Sequence, residues 1–187
     1  MSSPIWIFRI LPWKGCAVKA KMRILGVDPG TINLGYGVVD GEGEMRMVDC
    51  GVIRLSRKLP MEKRLRSLYH ELSKIIARHK PREVAIEEPF IGHNVKSAFA
   101  IGKAQAIAIL AAVNQELPVY YYSPAKVKQQ ITSYGQSDKR QVQEMVRVQL
   151  GLAELPQPSD AADALAVAMC HIQQRHLSHW LTEHTKE

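Results

Sequence analysis

The stretch MRILGVDPGTINLGYGVVDGEGEMRMVDCGVIRL, residues 22–55, decides the fold. Ile24 to Val27 is a short apolar run closed by Asp28-Pro29-Gly30, where proline suits the second turn position and glycine accepts a positive φ. A second apolar run, Gly35-Tyr36-Gly37-Val38-Val39, ends at Asp40-Gly41, a hairpin signal. Met45 to Leu55 reads as a third strand. Three strands joined by turns predict an antiparallel meander.

Downstream, Pro60 opens a helix with Met61, Leu65, Leu68, Leu72, Ile75 and Ile76 on one stripe, and Pro81 stops it. Val84-Ala85-Ile86-Glu87 reads as a short buried strand. Ser97 to Val113 is helical and almost wholly apolar, with Lys103 and Gln105 its only markedly polar interior residues, so it must bury more than one face. Val119 to Tyr122 is a fifth strand, its tyrosines alternately buried and exposed. Helices follow at about Pro124–Thr132, Lys139–Leu150 and Asp160–Gln174. The order βββαβαβααα predicts an α/β domain over residues 22–175, with a five-stranded mixed sheet flanked by helices. Residues 176–187 read as a frayed polar tail, and residues 1–21, lacking any strand or helix period, as a disordered extension before Met22.

Composition narrows the function classes. The 187 residues are 46% hydrophobic and 23% charged, which excludes a wholly disordered chain. The net charge is +7, but residues 1–21 supply four of those charges through Arg9, Lys14, Lys19 and Lys21, so bulk charge is weak evidence for nucleic acid. An odd count of three cysteines without a C-x-x-C pair argues against a disulfide framework and a cysteine zinc site, and fits a reducing compartment. No stretch approaches the roughly 18–20 uninterrupted apolar residues of a membrane span. His176 and His179 share helical spacing, but no acid clusters with them to make a metal site.

Four acids stand out. Asp28 ends the first strand, Glu87 ends the fourth, and Asp160 and Asp163 lie three apart on the last helix. Each alone has a plainer role: Asp28 as a turn residue, Asp160 and Asp163 as a helix cap. Glu87 is harder to dismiss, because a carboxylate ending a buried strand is costly unless something binds it. Gathered at one sheet edge, the four would repel by about 4 kcal/mol per pair at 4 Å and an effective dielectric near 20. Divalent cations make such a site tenable, and oxygen ligands without His or Cys select Mg²⁺ or Mn²⁺. A pair of such ions suits phosphodiester hydrolysis.

The segments Ile24-Leu25-Gly26-Val27-Asp28-Pro29-Gly30, Ala85-Ile86-Glu87, Ala112 to Val119, Gln141-Val142-Gln143 and Asp160-Ala161-Ala162-Asp163-Ala164-Leu165-Ala166 together resemble the RuvC Holliday-junction resolvases. The resemblance runs in order from about Arg23 to about His171. It implies a ribonuclease-H-like fold, a homodimer, and Mg²⁺-dependent nicking of symmetric strands at a four-way DNA junction. It also implies a cytoplasmic role in recombination and repair beside a branch-migration motor of the RuvA-RuvB type. Asp28, Glu87, Asp160 and Asp163 carry over as the metal-binding catalytic acids. Glu88 points to the opposite strand face from Glu87, and the family register selects Glu87.

Related resolvases carry an aromatic at Phe90, which implies stacking on an unpaired base near the crossover. Pro89 and His93 depart from the family pattern in the same loop. Lys128 and Lys139 match DNA-contact positions of the family. Arg140, among the basic residues between Ser123 and Leu150, and Lys96, on the loop after Phe90, extend that basic set. Three other readings compete. A non-catalytic DNA-binding module needs no aligned acids, and an actin-like ATPase needs a second lobe for which 187 residues leave no room. Another ribonuclease-H-like nuclease, acting on RNA or RNA–DNA hybrids, is the main alternative.

Overall fold

The computed structural model describes residues 22–41, 44–88, 95–135 and 137–184. Strands β1 (Arg23–Asp28), β2 (Asn33–Asp40) and β3 (Arg46–Arg54) form the expected meander. They are followed by α1 (Met61–His79), β4 (Glu83–Glu87), α2 (Val95–Val113), β5 (Val119–Tyr122), α3 (Pro124–Thr132), α4 (Lys139–Gln149) and α5 (Ser159–His184). The sheet order is β3-β2-β1-β4-β5, with β2 antiparallel to its neighbours and β4 parallel to both β1 and β5.

Alternation along the strands separates two cores. Leu25, Val27, Val84 and Ile86 face α1 and α2, whereas Ile24 and Ala85 face α3, α4 and α5. By the same period, Gly26 and Asp28 on β1, and Glu83 and Glu87 on β4, lie on the α5 side. Helix α5 packs unusually close to this side. A Cβ on Gly26 would stand 2.1 Å from the Ala164 carbonyl oxygen, and one on Gly35 would stand 2.0 Å from that of Asp160. Glycine at these positions, facing the alanines of α5, lets backbone meet backbone and sets the height of the helix over the sheet.

Two expectations about element limits need correction. Helix α5 does not stop near Gln174; it runs to His184, so the residues expected as a frayed polar tail are helical as far as that point. Helix α2 starts at Val95, which puts Lys96 in its first turn and not on a loop. By length and composition α2 is also apolar enough to cross a membrane. Its Ala104, Ala108, Ala111 and Ala112 are instead buried in the core shared with α1, which accounts for one apolar face of this helix. Residues 1–21 lie outside the described residues.

Candidate active site

Asp28 is the last residue of β1, one position beyond the Val27–Ile86 pair, which brings it beside Glu87 at the end of β4. Gly35 is the cross-strand partner of Asp28, and its missing side chain admits the first turn of α5. Asp160 and Asp163 therefore stand over the same sheet end. Of the two adjacent acids, Glu87 is half-buried on the α5 face, and Glu88 is exposed.

Electrostatics report how crowded the edge is. Burial first, then the charges of Glu87, Asp163 and Asp160, pushes the Asp28 carboxyl up to about 8. Burial and Asp163 push Glu87 up to about 7. Asp163 is also raised, by burial above all, against the opposing pull of Lys139. These are acids short of positive charge.

Lys139, the first residue of α4, supplies part of it. Its Nζ donates to Asp163 Oδ2 at 2.6 Å, while its stem stays over half exposed. Helix α4 is fixed for this by a reciprocal cap in which Asp138 accepts from the Gln141 N–H and Gln141 Oε1 accepts from the Asp138 N–H. Glu87, Lys128, Lys139 and Asp163 line a cleft of about 170 Å³, floored by Val127, Val142 and Ala166. Lys128 and Lys139, expected as DNA contacts, thus open directly onto the carboxylates, and Lys128 acts on the Glu87 charge. Sequence reasoning had no signal for the Lys139–Asp163 ion pair, which joins residues 24 apart. Arg140 is exposed on the first turn of α4, and Lys96 is exposed on α2. Phe90, Pro89 and His93 lie outside the described residues.

Among the described residues, no three His, Cys, Asp or Glu side chains are already drawn into a cage around an ion position. The donor chemistry nevertheless fits a divalent cation: four carboxylates, three of them raised by burial and then by neighbouring carboxylate charge, and no soft ligand among them.

The strand order, the antiparallel meander followed by parallel strands and the helices on both faces define the ribonuclease-H-like class of fold. A T. thermophilus RuvC in complex with Holliday junction substrate superposes with a TM-score of 0.80 at 35% identity, covering 84% of this chain and 96% of that one. The yeast mitochondrial Holliday junction resolvase Ydc2 shares the fold at 15% identity, with a TM-score of 0.62 and coverage of 84% and 81%. In sequence, the family described as crossover junction endodeoxyribonuclease RuvC matches residues 24–171. A crossover junction endodeoxyribonuclease RuvC of Dehalococcoides mccartyi is 51% identical over 155 residues, covering 82% of this chain and 93% of that protein. The chain belongs to the RuvC family.

Proposed function

We propose that this chain resolves four-way DNA junctions by paired symmetric nicks, with Asp28, Glu87, Asp160 and Asp163 holding the divalent metal of the active site. As a RuvC family member it is a crossover junction endodeoxyribonuclease, which sets aside the RNA and hybrid nucleases of the same fold. The observation that carries the site assignment is the convergence of four acids from β1, β4 and α5 on one sheet end, with Asp28 and Glu87 raised to about 8 and about 7.

A pair of Mg²⁺ ions, or Mn²⁺, bound there supplies charge neutralisation at the attacking and leaving oxygens of the phosphodiester. The protein's own part is positional. The backbone contact between Gly35 and α5 holds two acids over two strand ends. Lys128 and Lys139 put ammonium groups at the cleft mouth, where a scissile phosphate brings negative charge. Lys96 and Arg140 extend the basic surface for flanking phosphates, and Phe90 is assigned to stacking on a base displaced at the crossover.

A junction presents two equivalent strands, so the working unit is a two-fold dimer. Its interface is assigned to the outer stripe of α2, where Val95, Phe99, Leu110 and Val113 are 45–69% exposed at helical spacing. Residues 22–175 form the nuclease domain, acting in the cytoplasm with a branch-migration motor of the RuvA-RuvB type.

The test is single-turnover cleavage beside gel-shift binding in Mg²⁺ for Asp28→Asn, Glu87→Gln, Asp160→Asn, Asp163→Asn and Glu88→Gln. The first four should lose cleavage by 100-fold or more, on the order of a lost metal ligand, while still binding junctions. Glu88→Gln should cut normally. An active Asp28→Asn enzyme would remove the metal-site reading.

A further inference from the structure

At the opposite end of the same strand–helix pair lies a second polar cluster that phosphodiester chemistry does not use. Glu83, the first residue of β4, is 7% exposed, and His171 of α5 is 1% exposed. His171 Nε2 lies 2.6 Å from Glu83 Oε2, and its Nδ1 lies 2.6 Å from the Tyr122 hydroxyl. A carboxylate only accepts, so Nε2 carries the proton and the Tyr122 hydroxyl donates to Nδ1. Burial holds the imidazole below its ordinary pKa, which keeps it in this neutral form. Arg175, one turn further along α5, donates from Nη1 to the other Glu83 oxygen. The Tyr120 ring packs on His171 with centroids 4.4 Å apart.

Resting on the metal-site reading above, we propose that Glu83, His171, Arg175 and Tyr122 are positioning residues that set the axial register of α5 along β4, and with it the separation of Asp163 from Glu87.

The geometry gives both ends of the pair one ruler. Glu83 to Glu87 is four strand residues, about 13 Å. Asp163 to His171 is eight helix residues, about 12 Å. The helix runs antiparallel to β4, so the His171–Glu83 contact at one end places Asp163 beside Glu87 at the other. Between them the helix meets the sheet through close backbone approaches at Gly26 and Gly37 and through Leu165 and Met169, which share a buried cluster with Ile24, Val39 and Ala85, all of it apolar contact. A directional bond is what such an interface lacks.

Tyr122 adds a second route. Its hydroxyl holds His171, its backbone pairs with Glu87 in the β4–β5 ladder, and its carbonyl accepts from the Glu88 N–H at 2.9 Å. The network therefore reaches the backbone at Glu87 itself. Burying an ion pair rarely adds net stability over an apolar pair of the same volume. Its effect here is to select one register.

The experiment measures Mn²⁺ binding to the DNA-free full-length protein by calorimetry, alongside melting temperature and junction gel shift. Glu83→Gln and the gentler Tyr122→Phe are compared with Ile76→Val, which lies in the core on the other side of the sheet. The two network variants should weaken Mn²⁺ binding about 10- to 100-fold, the scale seen when groups behind metal ligands are lost, with junction affinity unchanged. Ile76→Val should keep wild-type Mn²⁺ affinity even where its melting temperature falls as far as that of Tyr122→Phe. Mn²⁺ affinity that follows melting temperature alone, or stays at wild type in both network variants, overturns the proposal. Asp163→Asn separates the two readings: if it binds Mn²⁺ like wild type, the metal site is misplaced and the register argument falls with it.

Discussion

Gly35 lies so close to Asp160 that a Cβ added to the glycine would stand 2.0 Å from the aspartate's carbonyl oxygen. The obstacle is backbone, so no side-chain rotation can relieve it. Gly35→Ala must lift the first turn of α5 from the sheet, and this turn carries Asp160 and leads to Asp163. Overpacking of this kind costs about 1–3 kcal/mol. A displacement of 1 Å at reacting groups can cost 10²-fold in rate. The expected outcome is a lower melting temperature together with a cleavage defect of about 100-fold in saturating Mg²⁺. A variant that melts lower yet cuts at the wild-type rate would show that α5 keeps its place without the glycine.

The raised carboxyl groups make a prediction about the metal-free protein. Asp28 sits near 8 and Glu87 near 7, against about 4 in an unfolded chain. Between those limits the folded state binds more protons than the unfolded one, so stability falls as pH rises. His171 acts in the other direction, because its folded pKa lies below the ordinary value, but that gain is complete above about pH 6.5. A melting temperature that declines from about pH 6.5 to about pH 8.5 in chelator is therefore the carboxylate signature. Asp28→Asn should flatten the decline. Added Mg²⁺ should raise the melting temperature most at the alkaline end, and a pH-independent metal effect would contradict the site.

Local signals carried much of this architecture. Turn residues after β1 and β2, the apolar stripe of α1 and the apolar run before Glu87 each follow from short-range periodicity, and β4 and α1 fall within a residue of their expected limits. The four acids were legible because each terminates an element or sits on a helix face. The pairings across the fold were not. Glu83 to His171 spans 88 residues and Lys139 to Asp163 spans 24, and no local pattern relates such positions. His171 itself lay within the expected helix Asp160–Gln174, with nothing in the sequence to name a partner for it. The C-terminal end of α5 differs from expectation for another reason: Leu177, Trp180 and Leu181 keep helical spacing up to His184, but they stand exposed among polar residues beyond Ile172, the last residue of α5 in the core.

Lys139 separates two roles through salt dependence. If its ammonium meets a backbone phosphate, Lys139→Met should lower the slope of log affinity against log salt by about 0.9. It should also slow cleavage at saturating junction, because positive charge is lost beside the reacting phosphate. If the side chain serves only Asp163, the slope will stay at the wild-type value. The metal-free melting temperature would then fall, because Asp163 loses the partner that opposes the rise in its pKa.

The outer stripe of α2 can be tested without assaying cleavage first. Val95, Phe99, Leu110 and Val113 expose large apolar surface on a helix whose opposite side is already packed. At micromolar concentration the sedimentation mass should be twice that of the chain. Leu110→Glu places a charge in the middle of the stripe, where pairing two copies would bury two like charges without partners, a cost of several kcal/mol. The variant should sediment as a single chain and retain the wild-type melting profile at low concentration. On a junction it should nick one strand without the coupled second cut, so nicked intermediates accumulate. A full-sized dimer in Leu110→Glu would move the interface to another face of the molecule.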